Sequence, residues 1–182
     1  MEVRALSEVI TLLKNQKGLT LIELLITLAL IGLVVGIINQ VYLTQFQSFK
    51  VTEEKAKLIK EAKEIQDIIT KIGLESSGID DIWANNRSFL KENQIEPHSS
   101  IQELGLMTSN FKKNVLNYDE STQTIYLNGD KLSEKVIGFY VYSLNGTYQE
   151  TKAINVKLML QSKHLRKTIN YETEFTIMFR NK

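Results

Sequence analysis

Side chains able to do covalent or proton-transfer chemistry are few in this chain and poorly placed for it. None of the 182 residues is a cysteine, which excludes disulfides, thiolate metal sites and cysteine nucleophiles. The two histidines, His98 and His164, stand 66 positions apart and offer little material for a triad, a metal centre or a proton relay. His98 lies beside Glu96, Ser99 and Ser100, after the single proline, Pro97, in a setting typical of an exposed loop. Asp80-Asp81 and Asp119-Glu120 pair their carboxylates but lack the spaced oxygen donors of a calcium-binding loop. Lys163, Arg166 and Lys167 surround His164 in a basic turn whose charges suit phosphate contact. The simpler expectation there is a solvated turn. The chain is therefore expected to hold no metal or cofactor and to catalyse nothing.

One carboxylate does stand where its chemistry matters. From Leu19 to Ile38 the sequence runs LTLIELLITLALIGLVVGII, 20 residues in which Glu23 is the sole ionisable group. As a helix this block is roughly 30 Å long, the thickness of a hydrocarbon core. A carboxylate inside such a span costs on the order of 2.5–3.5 kcal/mol. Either Glu23 reaches the aqueous interface from the near end, or it has a positive partner supplied when chains associate. Arg4, Lys14 and Lys17 precede the block, so the positive-inside bias keeps the N-terminus cytoplasmic and puts everything after about Tyr42 outside. No small-residue cleavage pattern follows the block, which argues against an ordinary secretory signal peptide. Gly32 and Gly36 form a small-xxx-small pair within it, suited to close helix packing.

Lys17-Gly18-Leu19-Thr20-Leu21-Ile22-Glu23 resembles the class III leader junction of type IV prepilins and type II secretion pseudopilins. That junction is a short basic leader ending in glycine, then an apolar helix with glutamate as its fifth residue. The resemblance implies that a prepilin peptidase recognises Lys17 and Gly18, cuts between Gly18 and Leu19, and N-methylates Leu19. It also implies that Glu23 serves subunit assembly, and that Gly32 and Gly36 mark a segment that packs closely or loosens in a filament. Implied partners are the peptidase, other pilin or pseudopilin subunits, an inner-membrane assembly platform and lipid; nucleic acid is left open. Two departures from the pattern stand out. The family usually has phenylalanine where Leu19 stands, and major subunits often carry proline where this chain has Gln40, which favours a minor pilin or pseudopilin.

The physics is consistent with these implications. Cleavage would create an α-amine at Leu19, with an ordinary pKa near 7.7–8.0, about one helical turn from Glu23. In a helix bundle the amine of one subunit would neutralise Glu23 of the next and penalise misalignment.

These groups must be positioned by the elements that follow. Leu58, Ala62, Ile65, Ile69 and Ile72 recur at the spacing of one helix face, with Glu53-Lys57 and Lys60-Glu64 as solvent-side pairs and Gly73 as a stop signal. With no proline between Leu19 and Ile72, a single helix of about 54 residues is expected. Leu74 to Asn110 reads as a connecting region, with a turn near Gly78-Asp80-Asp81 and a short helix over Trp83–Gln94. After it the period becomes two. Ile125-Tyr126-Leu127 leads into the turn Asn128-Gly129-Asp130, Val136–Leu144 into a hairpin at Asn145-Gly146, and Ile154–Gln161 and Ile169–Arg180 alternate cleanly. The expected class is α+β and pilin-like: a long N-terminal helix, transmembrane in its first half, packed on a C-terminal antiparallel sheet. The expected segments are 1–18 (a removed leader), 19–42, 43–73, 74–110 and 111–182. The C-terminal strands resemble those of the PilW/PulJ class of minor pilins, the J-type pseudopilins.

The whole-chain averages, 43% hydrophobic, 24% charged and a net charge of +1, look like an ordinary globular protein and give no electrostatic reason for nucleic-acid binding. Loss of the leader would remove three basic and two acidic residues and leave 19 of each. A structural subunit of a type IV pilus, secretion or DNA-uptake filament is the expected function. A membrane-anchored module that binds DNA, a surface or a ligand is the alternative.

Overall fold

The computed structural model describes residues 20–92, 100–164 and 167–180. They form one helix, α1 (Leu21–Glu75), followed by nine strands. The strands are β1 (Ser76–Ala84), β2 (Arg87–Ser88), β3 (Glu103–Thr108), β4 (Lys113–Asp119), β5 (Thr124–Leu127), β6 (Asp130–Ser133), β7 (Val136–Ser143), β8 (Ala153–His164) and β9 (Lys167–Met178). The class is α+β, a long apolar N-terminal helix with antiparallel sheets packed on it, as expected. The chain divides into two compact units, one ending at Ser48 and the other beginning at Phe49.

In the second unit α1 buries Leu58, Ala62, Ile65, Ile69 and Gly73. Four of these five are the predicted stripe; Gly73 takes the place expected of Ile72, which is only partly buried. Gly73 does not end the helix, which continues two residues to Glu75. It is instead a crossing point, since a Cβ built there would lie 2.1 Å from Cγ2 of Ile177 on β9. The predicted solvent pairs form, with Lys57 3.1 Å from Glu53 and Lys60 3.7 Å from Glu64.

The strands make two sheets rather than one. The first has the order β2-β1-β3-β4-β5-β6 and the second β7-β8-β9, all antiparallel. A shared core joins both to α1. Leu104, Leu106, Leu116 and Ile125 come from the first sheet, and Phe139, Ile154, Val156, Leu158 and Ile177 from the second. In β8 and β9 the alternation is as predicted: Ile154, Val156, Leu158 and Leu160 are buried, while Asn170, Glu172, Glu174, Thr176 and Met178 are exposed.

The region expected to connect helix and sheet is itself sheet. Gly78, Asp80 and Asp81 lie in β1, where register shifts at Ser76/Gly78 and Ile79/Asp81 take the place of the expected turn. Trp83 and Ala84 end that strand, and no helix forms over 83–92. Asn85 and Asn86, at φ 49° and 59°, make a left-handed two-residue turn into β2. The Asn128-Gly129 turn forms as expected, at φ 52° and 92°. The Asn145-Gly146 pair does not close a two-residue hairpin. β7 and β8 are joined by a longer loop that folds back to bury Tyr148 and Thr151, and the Tyr148 hydroxyl donates to the Val141 carbonyl at 2.7 Å.

Candidate functional site: the start of the apolar helix

The first unit contains α1 up to Ser48. Its large apolar side chains from Leu21 to Phe46 are between 50% and 79% exposed. Among the described residues α1 is the one helix long and apolar enough to cross a membrane, and none of its apolar window is buried. So much uncovered apolar surface marks a membrane or partner surface rather than a core. Gly32 and Gly36 lie on it, and a Cβ at either would meet nothing within 4 Å in this chain.

At the head of this helix, Thr20 and Glu23 bind each other. The Thr20 backbone N–H and hydroxyl both donate to Oε2 of Glu23 at 2.9 Å, and the Glu23 N–H points back to Thr20 Oγ1 at 3.3 Å. This is a capping box: two otherwise orphaned donors are satisfied reciprocally at the first turn, and the carboxylate sits at the positive end of the helix dipole. Thr27 extends the ladder by donating its hydroxyl to the Glu23 carbonyl at 2.5 Å and the Leu24 carbonyl at 3.0 Å. Glu23 therefore has a neutral partner within its own chain and, among the described residues, no cation.

Thr20 is a partner that the burial cost of Glu23 alone does not reveal. The signal was present: Thr-x-x-Glu immediately before an apolar run is the sequence form of a capping box. Lys17, Gly18 and Leu19 lie outside the described residues.

The remaining candidates take structural roles or fall outside the described residues. Glu96, His98, Ser99 and Arg166 fall outside. Lys163 and Lys167 are exposed at the β8–β9 turn, where His164 pairs in register with Lys167. Asp80 is 3.1 Å from Lys113. Asp81 accepts hydrogen bonds from Trp83 Nε1 at 2.5 Å and Ser88 Oγ at 3.0 Å.

Asp119 caps the turn after β4, and hydroxyls of Ser121 and Thr122 hold its carboxyl below the usual range. With Ser100, Gln102 and Tyr118 it lines a polar cleft of about 300 Å³. Among the described residues no group of three metal-ligating side chains comes together.

Residues 13–39 match the family model described as the prokaryotic N-terminal methylation motif. The match takes in Lys17, Gly18, Leu19, the Thr20–Glu23 cap and both glycines, and ends before the second unit begins. Neither the curated proteins nor the solved structures contain a match to this chain.

Proposed function

We propose that this chain is a minor pilin or pseudopilin, a structural subunit that works by packing. In this reading residues 1–18 are a leader recognised through Lys17 and Gly18. A prepilin peptidase cuts before Leu19 on the cytoplasmic side and methylates the new terminus. The subunit then waits as a single-pass protein of the cytoplasmic membrane, N-terminus inside and second unit outside. An inner-membrane assembly platform passes it to other pilin or pseudopilin subunits in a type IV pilus or related filament. Among such subunits we assign it to the PilW/PulJ (J-type) class, on the sequence resemblance of its C-terminal strands.

The observation that carries this reading is the apolar half of α1, wholly unburied within its own chain and headed by one capped carboxylate within the methylation motif. A helix that buries none of its apolar surface internally needs lipid before assembly and other helices after it. In lipid, Thr20 gives Glu23 the hydrogen bonds that water would otherwise supply. In a filament the cleaved α-amine of a neighbour supplies a charge, and Gly32 and Gly36 allow close backbone approach.

Filament incorporation tests the proposal. Sheared filaments from cells expressing the wild-type chain should contain it, whereas Glu23→Ala should stay in the membrane fraction. Equal incorporation of Glu23→Ala would contradict the pairing role. Absence of the wild-type chain from filaments, with the anchor intact, would favour the binding-module alternative.

A further inference from the structure

Beyond the apolar block, α1 carries a pair of aromatic side chains that the assembly reading does not use. Tyr42 and Phe46, one helical turn apart, stack with ring centroids 6.4 Å apart and planes 19° apart. Both rings are exposed, at 64% and 50%. A stacked, exposed aromatic pair has little to gain from water. Gln40, Thr44 and Gln47 fall on the opposite side of the helix by its 100° step per residue. The last turns of the first unit thus mix polar and aromatic side chains, with Asn39 on the side of the rings, whereas residues 24–38 hold Thr27 as their one polar side chain.

Their position along the axis identifies what covers them. At 1.5 Å per residue, Tyr42 lies about 30 Å beyond Leu21, one hydrocarbon thickness from the capped end. No charged residue occurs between Glu23 and Lys50, so charge does not set where the helix leaves the bilayer. Tyrosine and other aromatic rings gather at that boundary, with the ring among the upper acyl chains and any hydroxyl in the headgroups.

We infer that Tyr42 and Phe46 form an interfacial aromatic anchor that seats α1 against the lipid headgroup boundary on the side opposite Glu23, fixing the depth of the span before assembly. The inference rests on the reading of α1 as a membrane span. Glu23 with Thr20 marks one boundary and the aromatic pair marks the other.

Tryptophan fluorescence of the full chain in phosphatidylethanolamine/phosphatidylglycerol vesicles tests it, with Trp83→Phe as background. Phe46→Trp should emit to the blue of a water-exposed tryptophan and be quenched more by lipids brominated near the headgroup than by lipids brominated deep in the chain. Leu30→Trp, at mid-span, should show the reverse order. Shallow quenching of Phe46→Trp should also weaken at least severalfold when Tyr42→Ala is added. Free quenching of Phe46→Trp by aqueous acrylamide, with no effect of brominated lipid, would overturn the anchor. So would protection from both quenchers, which would place the ring against another protein chain. If Leu30→Trp alone is deeply quenched, the span stands and the anchor fails. If neither position feels brominated lipid, the membrane reading itself fails.

Discussion

Two residues of the second unit allow direct tests of its packing. Gly73 faces Ile177 so closely that a methyl group has no room. Gly73→Ala should therefore cost about 1–3 kcal/mol through overpacking, despite alanine's better helix propensity. Thermal unfolding in detergent checks this: if the contact with Cγ2 of Ile177 is the cause, Gly73→Ala should cost markedly less in an Ile177→Ala background, which lacks that methyl group, than in the wild type. Tyr118 offers a pH test. Its hydroxyl donates to the Val136 carbonyl at 3.1 Å, and burial, with Glu120 adding to it, pushes its pKa up from 10.0 to about 12. A raised value means the folded state holds the proton more tightly than the unfolded chain. The stabilisation is thus complete below pH 10 and is lost as the pH climbs towards 12. Melting temperature should fall more steeply over that window in the wild type than in Tyr118→Phe; identical profiles would contradict the assignment.

The elements divide the helix into two energetic regimes. Leu58, at 0% exposure, lies in the core between α1 and the sheets, whereas Leu30, at 57%, touches no core of this chain. Leu58→Ala should cost about 2–5 kcal/mol in the stability of the second unit, and Leu30→Ala close to nothing. Chemical denaturation followed by Trp83 fluorescence distinguishes the two. The same division explains how far the sequence could be read. Leu58, Ala62, Ile65 and Ile69 kept strict helical spacing because one side meets core and the other water, and β8 and β9 alternated for the equivalent reason. β1 was illegible because two register shifts interrupt its period and its residues are buried without alternation. Asn85-Asn86 held the clue that a hairpin, with Trp83 opposite Ser88, replaces the expected helix, since adjacent left-handed asparagines suit a two-residue turn. Asn145-Gly146 misled because a turn dipeptide reports local geometry, while burial of Tyr148 is a tertiary contact that no local pattern announces. The cap was legible in Thr20-x-x-Glu23, the sequence form of a capping box.

At the scale of the molecule, the near-neutral average conceals a segregated chain. Its first unit carries an uncovered apolar helix segment, its second unit is folded around its own core, and one carboxylate is held at the head of the apolar segment by a hydroxyl and an amide. In the function proposed above, that arrangement becomes an assembly device only after an N-terminal event. While residues 1–18 remain attached, the amide of Thr20 caps the helix but no amine stands at Leu19 to neutralise a neighbour's Glu23. The most direct measurement is intact mass and N-terminal peptide mass spectrometry of the chain expressed with a prepilin peptidase, beside Gly18→Ala. A mature chain that begins at Leu19 and carries one added methyl group is expected, with Gly18→Ala retaining the leader. A wild-type chain that still begins at Met1 in the presence of active peptidase would contradict it.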